Sequence, residues 1–345
     1  MMINFFNTGL DAESVAKRLR ARPGKMEVFA LGMTICLSAY FVFLAHTGQY
    51  FPYDYMNYRN AAFGDPSFYY YGYWFLPFFQ LLGVLPDGLQ LVIYFMLNIL
   101  AVWFAVRVFG GKTAPLLFGY QMLYGLYFGQ LTGIIVGGLA LFWYGMVNRR
   151  FYLAGLGLLI ACTKIQTGLP ITITLWLIAP LSWRERLQIL IIPIIAVVAS
   201  FAIYGFWPLE VLYRVTTGNP PNDWGSVSLW RLFGPSVLAL WLPTIMLPFT
   251  RVRRMMAVMA TTAIALPYFQ QADLITLFVF PTGWFPLAGN IGLLFPFVKF
   301  TALQAIAVVP STMYLWLIGS EALKLLRSRM EKLSPSSLAK PEIQS

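Results

Sequence analysis

Residues 27–45 read EVFALGMTICLSAYFVFLA. An apolar run of this length is what an α-helix needs to cross the hydrocarbon core of a bilayer. Basic residues precede it: Lys17, Arg18, Arg20, Arg22 and Lys25. The run is longer than the apolar core of a secretory signal, and other apolar runs follow it, so we expect an uncleaved first transmembrane helix.

The composition agrees with a chain that lies mostly in lipid. Of 345 residues, 59% are hydrophobic and 11% are charged, against roughly 25% charged in soluble domains. The net charge of +11 would suit nucleic acid only on a polar folded surface, whereas here the basic residues form short islands between apolar runs. The sequence therefore predicts an all-α integral membrane protein whose partner is the bilayer and not a nucleic acid.

Further apolar runs predict about ten to twelve transmembrane spans in total. We place them at 88–106, 114–129, 131–148, 151–167, 169–182, 187–207, 235–250 and 255–270, with one to three more between 274 and 320. The expected organisation is a basic segment at 1–26, a single transmembrane domain at 27–320, and a tail at 321–345 that is disordered at its end.

The basic islands predict the orientation, since cytoplasmic loops are enriched in Lys and Arg. With the N-terminus inside, every second loop is basic: Arg107/Lys112, Arg149/Arg150, Arg184/Arg186 and Arg251/Arg253/Arg254. This predicts a plasma-membrane protein with both termini cytoplasmic. Residues 46–87 and 208–234 then form aromatic-rich outer loops, and the first is expected to carry helices at the headgroup level.

The candidate site residues are ionisable groups at or near the predicted outer face. They are Asp54, Arg59, Asp65, Lys164, Arg214, Asp223, Arg231 and Asp273. Ionisable groups at membrane depth are costly and suggest function. The sequence has no Walker loop, HExxH motif or cysteine cluster, and one histidine, His46, cannot build a metal site alone.

Each candidate also has a structural interpretation. Asp54 is either a base held against an apolar cavity or an ordinary loop residue. Lys164 either snorkels to the interface or faces an anionic group such as a phosphate. Arg59 and Arg231 either clamp phosphate or contact the surface, whereas Asp273 sits where a helix N-terminus favours any acid. A turn is the simpler explanation for Asp65, which precedes a proline.

Four short stretches carry a resemblance to a known family. They are DYMNYRNAA at 54–62 with YGYWFLP at 71–77, Gly129-Gln130, the run from Arg149 to Gln166 ahead of Pro170, and Leu266-Pro267-Tyr268 with Asp273-Leu274. In this order the chain resembles the polyprenyl-phosphate-sugar-dependent glycosyltransferases of the GT-C superfamily, in particular glycosyltransferase family 87. It departs from the family pattern at Leu131, Ile165 and Ala272.

The resemblance implies a GT-C-type fold and transfer of a hexose, commonly mannose, from a polyprenyl-phosphate donor to an acceptor hydroxyl at the outer face. It implies that Asp54 is the catalytic base and that Lys164 lies near the lipid-linked phosphate. The other residues expected at the donor are Tyr58, Arg59, Gln130, Arg231 and Asp273. No cofactor or metal is required by this chemistry, although a divalent ion is compatible with it.

Two other functions fit the same sequence features. A transporter or flippase of a lipid-linked sugar would share the apolar cavity, the intramembrane lysine and the outer aromatic loops. A membrane-embedded scaffold would use the charges for structure alone. The concentration of polar and aromatic sequence in two outer loops favours the transferase.

Overall fold

The computed structural model of the chain describes residues 10–214, 216, 226–297 and 306–333. Within these ranges it consists of helices and loops without a β-strand, as the sequence predicts. In chain order the α-helices are α1 (Ala12–Arg20), α2 (Lys25–His46), α3 (Tyr53–Ala62), α4 (Leu76–Gly83), α5 (Asp87–Phe109), α6 (Thr113–Leu117), α7 (Tyr120–Phe128), α8 (Thr132–Val147), α9 (Phe151–Ala161), α10 (Ile165–Ile178), α11 (Trp183–Tyr204), α12 (Trp207–Tyr213), α13 (Trp230–Phe233), α14 (Trp241–Met246), α15 (Arg251–Ala265), α16 (Ile275–Phe278) and α17 (Val308–Leu333). Tighter 3₁₀ segments lie at Tyr73–Phe75, Gly234–Leu240, Gln271–Leu274 and Phe285–Phe297.

Three of these helices, α2, α5 and α11, are long and apolar enough to cross a membrane by length and composition. The pair α7 and α8 passes the same test together but is bent by 114° at its break, which is the geometry of a broken span or a re-entrant loop. Shorter apolar helices are α9, α10 and Gly234–Met246. The chain therefore has the helices of a membrane protein, and the predicted number of spans stays a prediction.

Helix α2 shows how a span divides its surface between protein and lipid. Its buried residues are Ala30, Thr34 and Ser38, which are small and four positions apart. Large apolar side chains on its other faces are more than half exposed, with Phe29 at 57% and Phe43 at 60%. Small residues on one stripe let a helix approach its neighbours closely, while the large ones face lipid.

Helices α8 and α9 approach each other more closely than ordinary side chains allow. A Cβ atom on Gly145 would lie 2.5 Å from the nitrogen of Ala154, and one on Gly157 would lie 2.3 Å from the nitrogen of Phe142. Glycine at both positions is therefore required by the packing. The helices are therefore closely packed near the turn that joins them. At the other end of the pair, α8 begins at Thr132 and α9 ends just before Lys164.

The basic islands come together at one end of the bundle, which we call the basic end. The Arg107 guanidinium donates to the carbonyl oxygen of Arg18 at 2.7 Å and so ties α1 to α5. A cavity of about 160 Å³ is lined there by residues from separate segments, including Asp11, Arg149 and Arg251. Convergence of the islands is what the predicted topology requires, while the orientation in the membrane stays a prediction.

Two of the predicted spans are interrupted in the structure. The span expected at 151–167 ends as α9 at Ala161, and Lys164 becomes the residue that precedes α10. The run 114–129 divides into α6 and α7 around Phe118–Gly119. Each break leaves helices that are shorter than the predicted span.

The C-terminal part is helical on both sides of the predicted boundary at 320. Helix α17 runs through that boundary to Leu333. Glu321 pairs with Arg253 of α15 and with Lys324, both at 3.3 Å, so the start of the predicted tail is anchored to the bundle. Residues 285–297 form a 3₁₀ segment, and the remainder of the predicted tail, 334–345, lies outside the described residues.

The first predicted outer loop, residues 46–87, contains helices α3 and α4 of 10 and 8 residues. At 1.5 Å per residue they are about 15 and 12 Å long, too short to cross a hydrocarbon core of about 30 Å. The Gln80 amide donates to the carbonyl oxygen of Ala62 at 2.9 Å and joins the two helices. Asp65 accepts from the nitrogen of Ser67 at 3.1 Å, which forms the turn expected there.

The first predicted outer loop contacts Trp207, directly before the second predicted outer loop, and Arg214 within it. Tyr73 stacks on Trp207 with ring centroids 5.0 Å apart. Arg214 donates to the Tyr73 hydroxyl and to the carbonyl oxygen of Pro66. These contacts account for Arg214 structurally. Asp223, another predicted site residue, lies outside the described residues.

Candidate functional site

Asp54 lies in the first turn of α3 and is held by Gln130. Gln130 follows Gly129 at the sharp corner between α7 and α8, and its amide nitrogen donates to a carboxylate oxygen of Asp54. Gly129 has a φ of +69°, and a Cβ there would lie 2.8 Å from the Cβ of Tyr55. Only glycine both adopts this conformation easily and lets α3 approach so closely. The Gly-Gln pair therefore positions the amide on Asp54.

Lys164 and Asp273 form a buried ion pair in the same region. The ammonium lies 2.9 Å from Oδ1 and 2.8 Å from Oδ2 of Asp273. The side chains of the two residues are 1% and 0% exposed. Thr132 donates to Asp273 Oδ1 at 2.8 Å, and the nitrogen of Gln270 lies 3.3 Å from Oδ2. Both charges are thus paired and hydrogen-bonded, as burial requires.

The ammonium of Lys164 has no donor left over. It has three N–H groups, and its partners are the two oxygens of Asp273 and the Gln270 side-chain oxygen at 2.8 Å. It also lies 5.6 Å from the centroid of the Tyr71 ring. Lys164 does not snorkel to the surface. To bind a phosphate, it has to exchange one of these partners.

Asp54 is electrostatically coupled to this pair. Partial burial raises the pKa of the Asp54 carboxyl to about 7, against the opposing effects of Lys164 and of the Gln130 hydrogen bond. Asp273 raises it further. The carboxyl is therefore half ionised near neutral pH, which is the condition under which a carboxylate works best as a base.

Tyrosines from the first outer loop enclose the cluster. Tyr58 and Tyr71 are buried, with ring centroids 5.6 Å apart. Burial raises the pKa of both phenols well above the usual value, and the Asp54 charge adds to this effect, so both stay neutral. The nitrogen of Gly72 donates to the carbonyl oxygen of Thr163 at 2.9 Å, which places Tyr71 over Lys164.

Arg59 lies away from this cluster. It is five residues after Asp54 on α3, which turns its side chain to a different face of the helix. There it forms an ion pair with Asp87 at 3.0 Å, with side-chain exposures of 29% and 76%. The pair borders a cavity of about 260 Å³ between α2, α3 and α5. The side chain of Arg231, expected at the donor, lies outside the described residues.

Of the predicted site residues, the structure brings Asp54, Tyr58, Gln130, Lys164 and Asp273 together. Sequence reasoning missed other residues that contact the ion pair: Thr132, Gln270 and Tyr71. Thr132 lies two residues after Gln130, and Gln270 lies three residues before Asp273. Their closeness in sequence to predicted site residues was the only signal that could have identified them. Among the described residues no group of three His, Cys, Asp or Glu side chains could hold a metal ion.

Comparison with known proteins found no match: no family model matches the chain, and neither a curated protein nor a solved structure does. The resemblance to glycosyltransferase family 87 therefore stays a prediction.

Proposed function

We propose that this protein is a membrane glycosyltransferase that moves a hexose, most simply mannose, from a polyprenyl-phosphate donor to a hydroxyl acceptor at the outer face. The observation that carries the proposal is Asp54. Its carboxyl is oriented by Gln130, has a pKa of about 7, and is electrostatically coupled to a buried cation. A positioned base with a pKa near the working pH is what hydroxyl activation needs.

In the proposed step the acceptor oxygen attacks the anomeric carbon of the donor sugar as its proton passes to the Asp54 carboxylate. The bond between that carbon and the phosphate oxygen breaks, and polyprenyl phosphate leaves with the bonding electron pair. Gln130 keeps the carboxylate aimed at the acceptor by its amide hydrogen bond. The tyrosines around the cluster limit access of water to the reacting carbon.

The negative charge of the leaving phosphate needs a cation. Lys164 can supply this positive charge. Its ammonium would exchange the hydrogen bond to the Gln270 oxygen for one to the phosphate and keep its ion pair with Asp273, because a phosphate oxygen is a stronger acceptor than a neutral amide oxygen. Gln270 is therefore the exchangeable partner, and Asp273 is a positioning residue. Arg59 has no part in this step.

The breaks around the cluster suit a substrate with an apolar tail. Helices α9 and α10 have 11 and 14 residues, shorter than the roughly 20 of a full span. Non-helical backbone at membrane depth is tolerated where it lines a cavity. The site then accepts a phosphate and a sugar at the helix breaks while the prenyl chain stays in lipid.

The test is a transfer assay with the full chain in membranes and radiolabelled polyprenyl-phosphate mannose. Asn keeps the shape of Asp54 but accepts no proton, so we expect Asp54→Asn to lower transfer by about 100- to 10,000-fold. The matched control is Asp65→Asn in the same loop, which removes an exposed turn residue and should leave transfer within about twofold. Inserted Asp54→Asn protein with wild-type transfer would rule out Asp54 as the base.

A second candidate is a transporter of lipid-linked sugars. The 114° break between α7 and α8 favours it, because transporters bind substrates at discontinuous helices. A transporter would move the labelled lipid across the bilayer of a sealed vesicle without forming a new glycosidic product. Product formation that depends on Asp54 separates the two functions.

A further inference from the structure

Two buried glutamines near Asp54 have unpaired amide atoms. Gln130 is 3% exposed and uses its nitrogen on Asp54, but its oxygen has no hydrogen-bond partner among the described residues. Gln271 is 1% exposed, and neither its amide oxygen nor its amide nitrogen has one. Buried polar atoms are nearly always paired, so three unpaired atoms in one region require an explanation.

The backbone brings the segments that carry these two amides close together. A Cβ atom on Gly125 of α7 would lie 3.7 Å from the Cβ of Ala272 and 4.0 Å from the Cβ of Gln130. Gln271 directly precedes Ala272. The hydroxyl of Tyr124 lies close to the Gln271 side chain and within the field of Asp54, although neither amide atom of Gln271 has a hydrogen-bond partner among the described residues. Gly125 therefore lies between Gln130 and the segment that carries Gln271.

The chemistry of these amide atoms fits a neutral ligand that both donates and accepts hydrogen bonds. The unpaired atoms of Gln130 and Gln271 are neutral amide atoms, unlike the ammonium of Lys164, which is the group that can meet a phosphate. An amide oxygen accepts from a hydroxyl and an amide nitrogen donates to one. Sugar hydroxyls do both, and a ligand that pairs these atoms removes the cost of their burial.

We infer that Gln130 and Gln271 form a hexose-binding subsite beside Asp54, which recognises hydroxyl groups of the donor sugar. The inference rests on the proposed function for the identity of the donor. It assigns a role to Gln271, and it separates sugar recognition at Gln271 from phosphate recognition at Lys164.

The test uses Gln271→Met in the purified full chain in lipid nanodiscs. Met has nearly the shape of Gln but no hydrogen-bonding amide. We expect the Kd for polyprenyl-phosphate mannose to rise about tenfold, because up to two neutral hydrogen bonds are lost. The Kd for polyprenyl phosphate without sugar should stay within twofold. Without ligand the Tm should rise by about 2–4 °C, because an unpaired buried amide is gone.

The chain supplies a matched control in Gln121→Met. Gln121 is also 1% exposed with both amide atoms unpaired, but it lies at the opposite end of α7, against Gly289. Its replacement should raise Tm in the same way and leave both Kd values unchanged. A purely structural role for Gln271 predicts that the two variants behave alike.

A second arm separates this inference from the proposed function. Methyl mannoside at high concentration should raise the Tm of the wild type and not that of Gln271→Met. If the wild type responds to methyl mannoside but binds neither lipid, the subsite stands and the polyprenyl-phosphate donor is wrong. If Gln271→Met binds polyprenyl-phosphate mannose within twofold of the wild type, or if it responds to methyl mannoside as the wild type does, the subsite is wrong.

Discussion

The two ends of the bundle each hold an ion pair, but the surroundings of the two pairs differ. At the basic end Glu27 accepts from Arg107 twice at 3.0 Å, from Trp103 at 2.6 Å and from Thr113 at 3.1 Å. In the cluster around Asp54, the Lys164–Asp273 pair is equally well satisfied, yet the amides next to it are not. Satisfied and unsatisfied polar atoms lie side by side there.

This difference separates a structural network from a binding site. Every polar atom of Glu27 contributes to joining α2, α5 and α6, so that network is complete without a ligand. The cluster around Asp54 combines a complete ion pair, which fixes the helix breaks, with polar atoms that remain unpaired. A buried network that is only partly satisfied costs stability, and at such a site the missing partner is best sought in the substrate.

The largest expected effect on stability comes from breaking the Lys164–Asp273 ion pair in the cluster around Asp54. Asp273→Asn leaves the Lys164 ammonium buried without its counter-charge, which costs about 3–5 kcal/mol. The double variant Lys164→Met with Asp273→Met removes both charges and should recover most of this loss. The measurement is Tm together with the monodisperse fraction in detergent. The double variant should fold but transfer no sugar, since the cation is absent.

The matching change at the basic end should cost less. The side chains of Arg107 and Glu27 are 10% and 17% exposed, against 1% and 0% for Lys164 and Asp273, so water can partly solvate the charge left by Glu27→Gln. We expect about 1–3 kcal/mol and unchanged transfer per folded molecule. Equal losses for Glu27→Gln and Asp273→Asn would show that burial does not distinguish the two pairs.

The helices were predictable from the sequence because hydropathy is a local property: apolar runs correspond to α2, α5, α8 and α11 within a few residues. The position of the break at Lys164 was not predictable, because Lys164 pairs with the carboxylate of Asp273, 109 residues away in the sequence. The approximate site followed from the resemblance, which joined Asp54, Gln130, Lys164 and Asp273.

Details of the site also depend on geometry that the sequence does not show. Arg59 was expected at the donor as an ionisable outer-loop residue that can clamp phosphate, but it lies five residues after Asp54, and at 100° per residue its side chain points to another face of α3, where it pairs with Asp87. Gln271 carries no charge and belongs to no pattern, so only its unpaired amide in the folded chain marks it.

A smaller effect is expected from pH, and it concerns Asp54 alone. Its pKa is raised from 3.8 to about 7 in the folded protein, so folding favours the protonated form. The stability associated with this proton is present below about pH 4 and is lost as the pH rises through 7. Transfer needs the ionised base, so kcat/KM should rise about tenfold per pH unit below 7 and level off above it.

The check is a pH profile of transfer alongside a pH profile of Tm. In Asp54→Asn the decline in Tm between pH 4 and 7 should shrink, and the residual transfer should lose its dependence on pH in that range. The carboxylate of Glu27, at the basic end, offers no such coupling to transfer. If transfer instead rises around pH 4, the Asp54 carboxyl is solvated and its pKa is not raised by burial.

The smallest effect is expected at Arg59, and it tests whether the far face of α3 belongs to the site. The Arg59–Asp87 pair is partly exposed, and such pairs contribute about 0–1 kcal/mol. Arg59→Gln should therefore change Tm by a few degrees at most and transfer by less than about threefold. Arg59 was expected at the donor phosphate from its position in the sequence, and that role predicts a rise in KM of tenfold or more. A large change in KM would mean that Arg59 leaves Asp87 when the donor binds, and would extend the site around α3 to the cavity between α2 and α5.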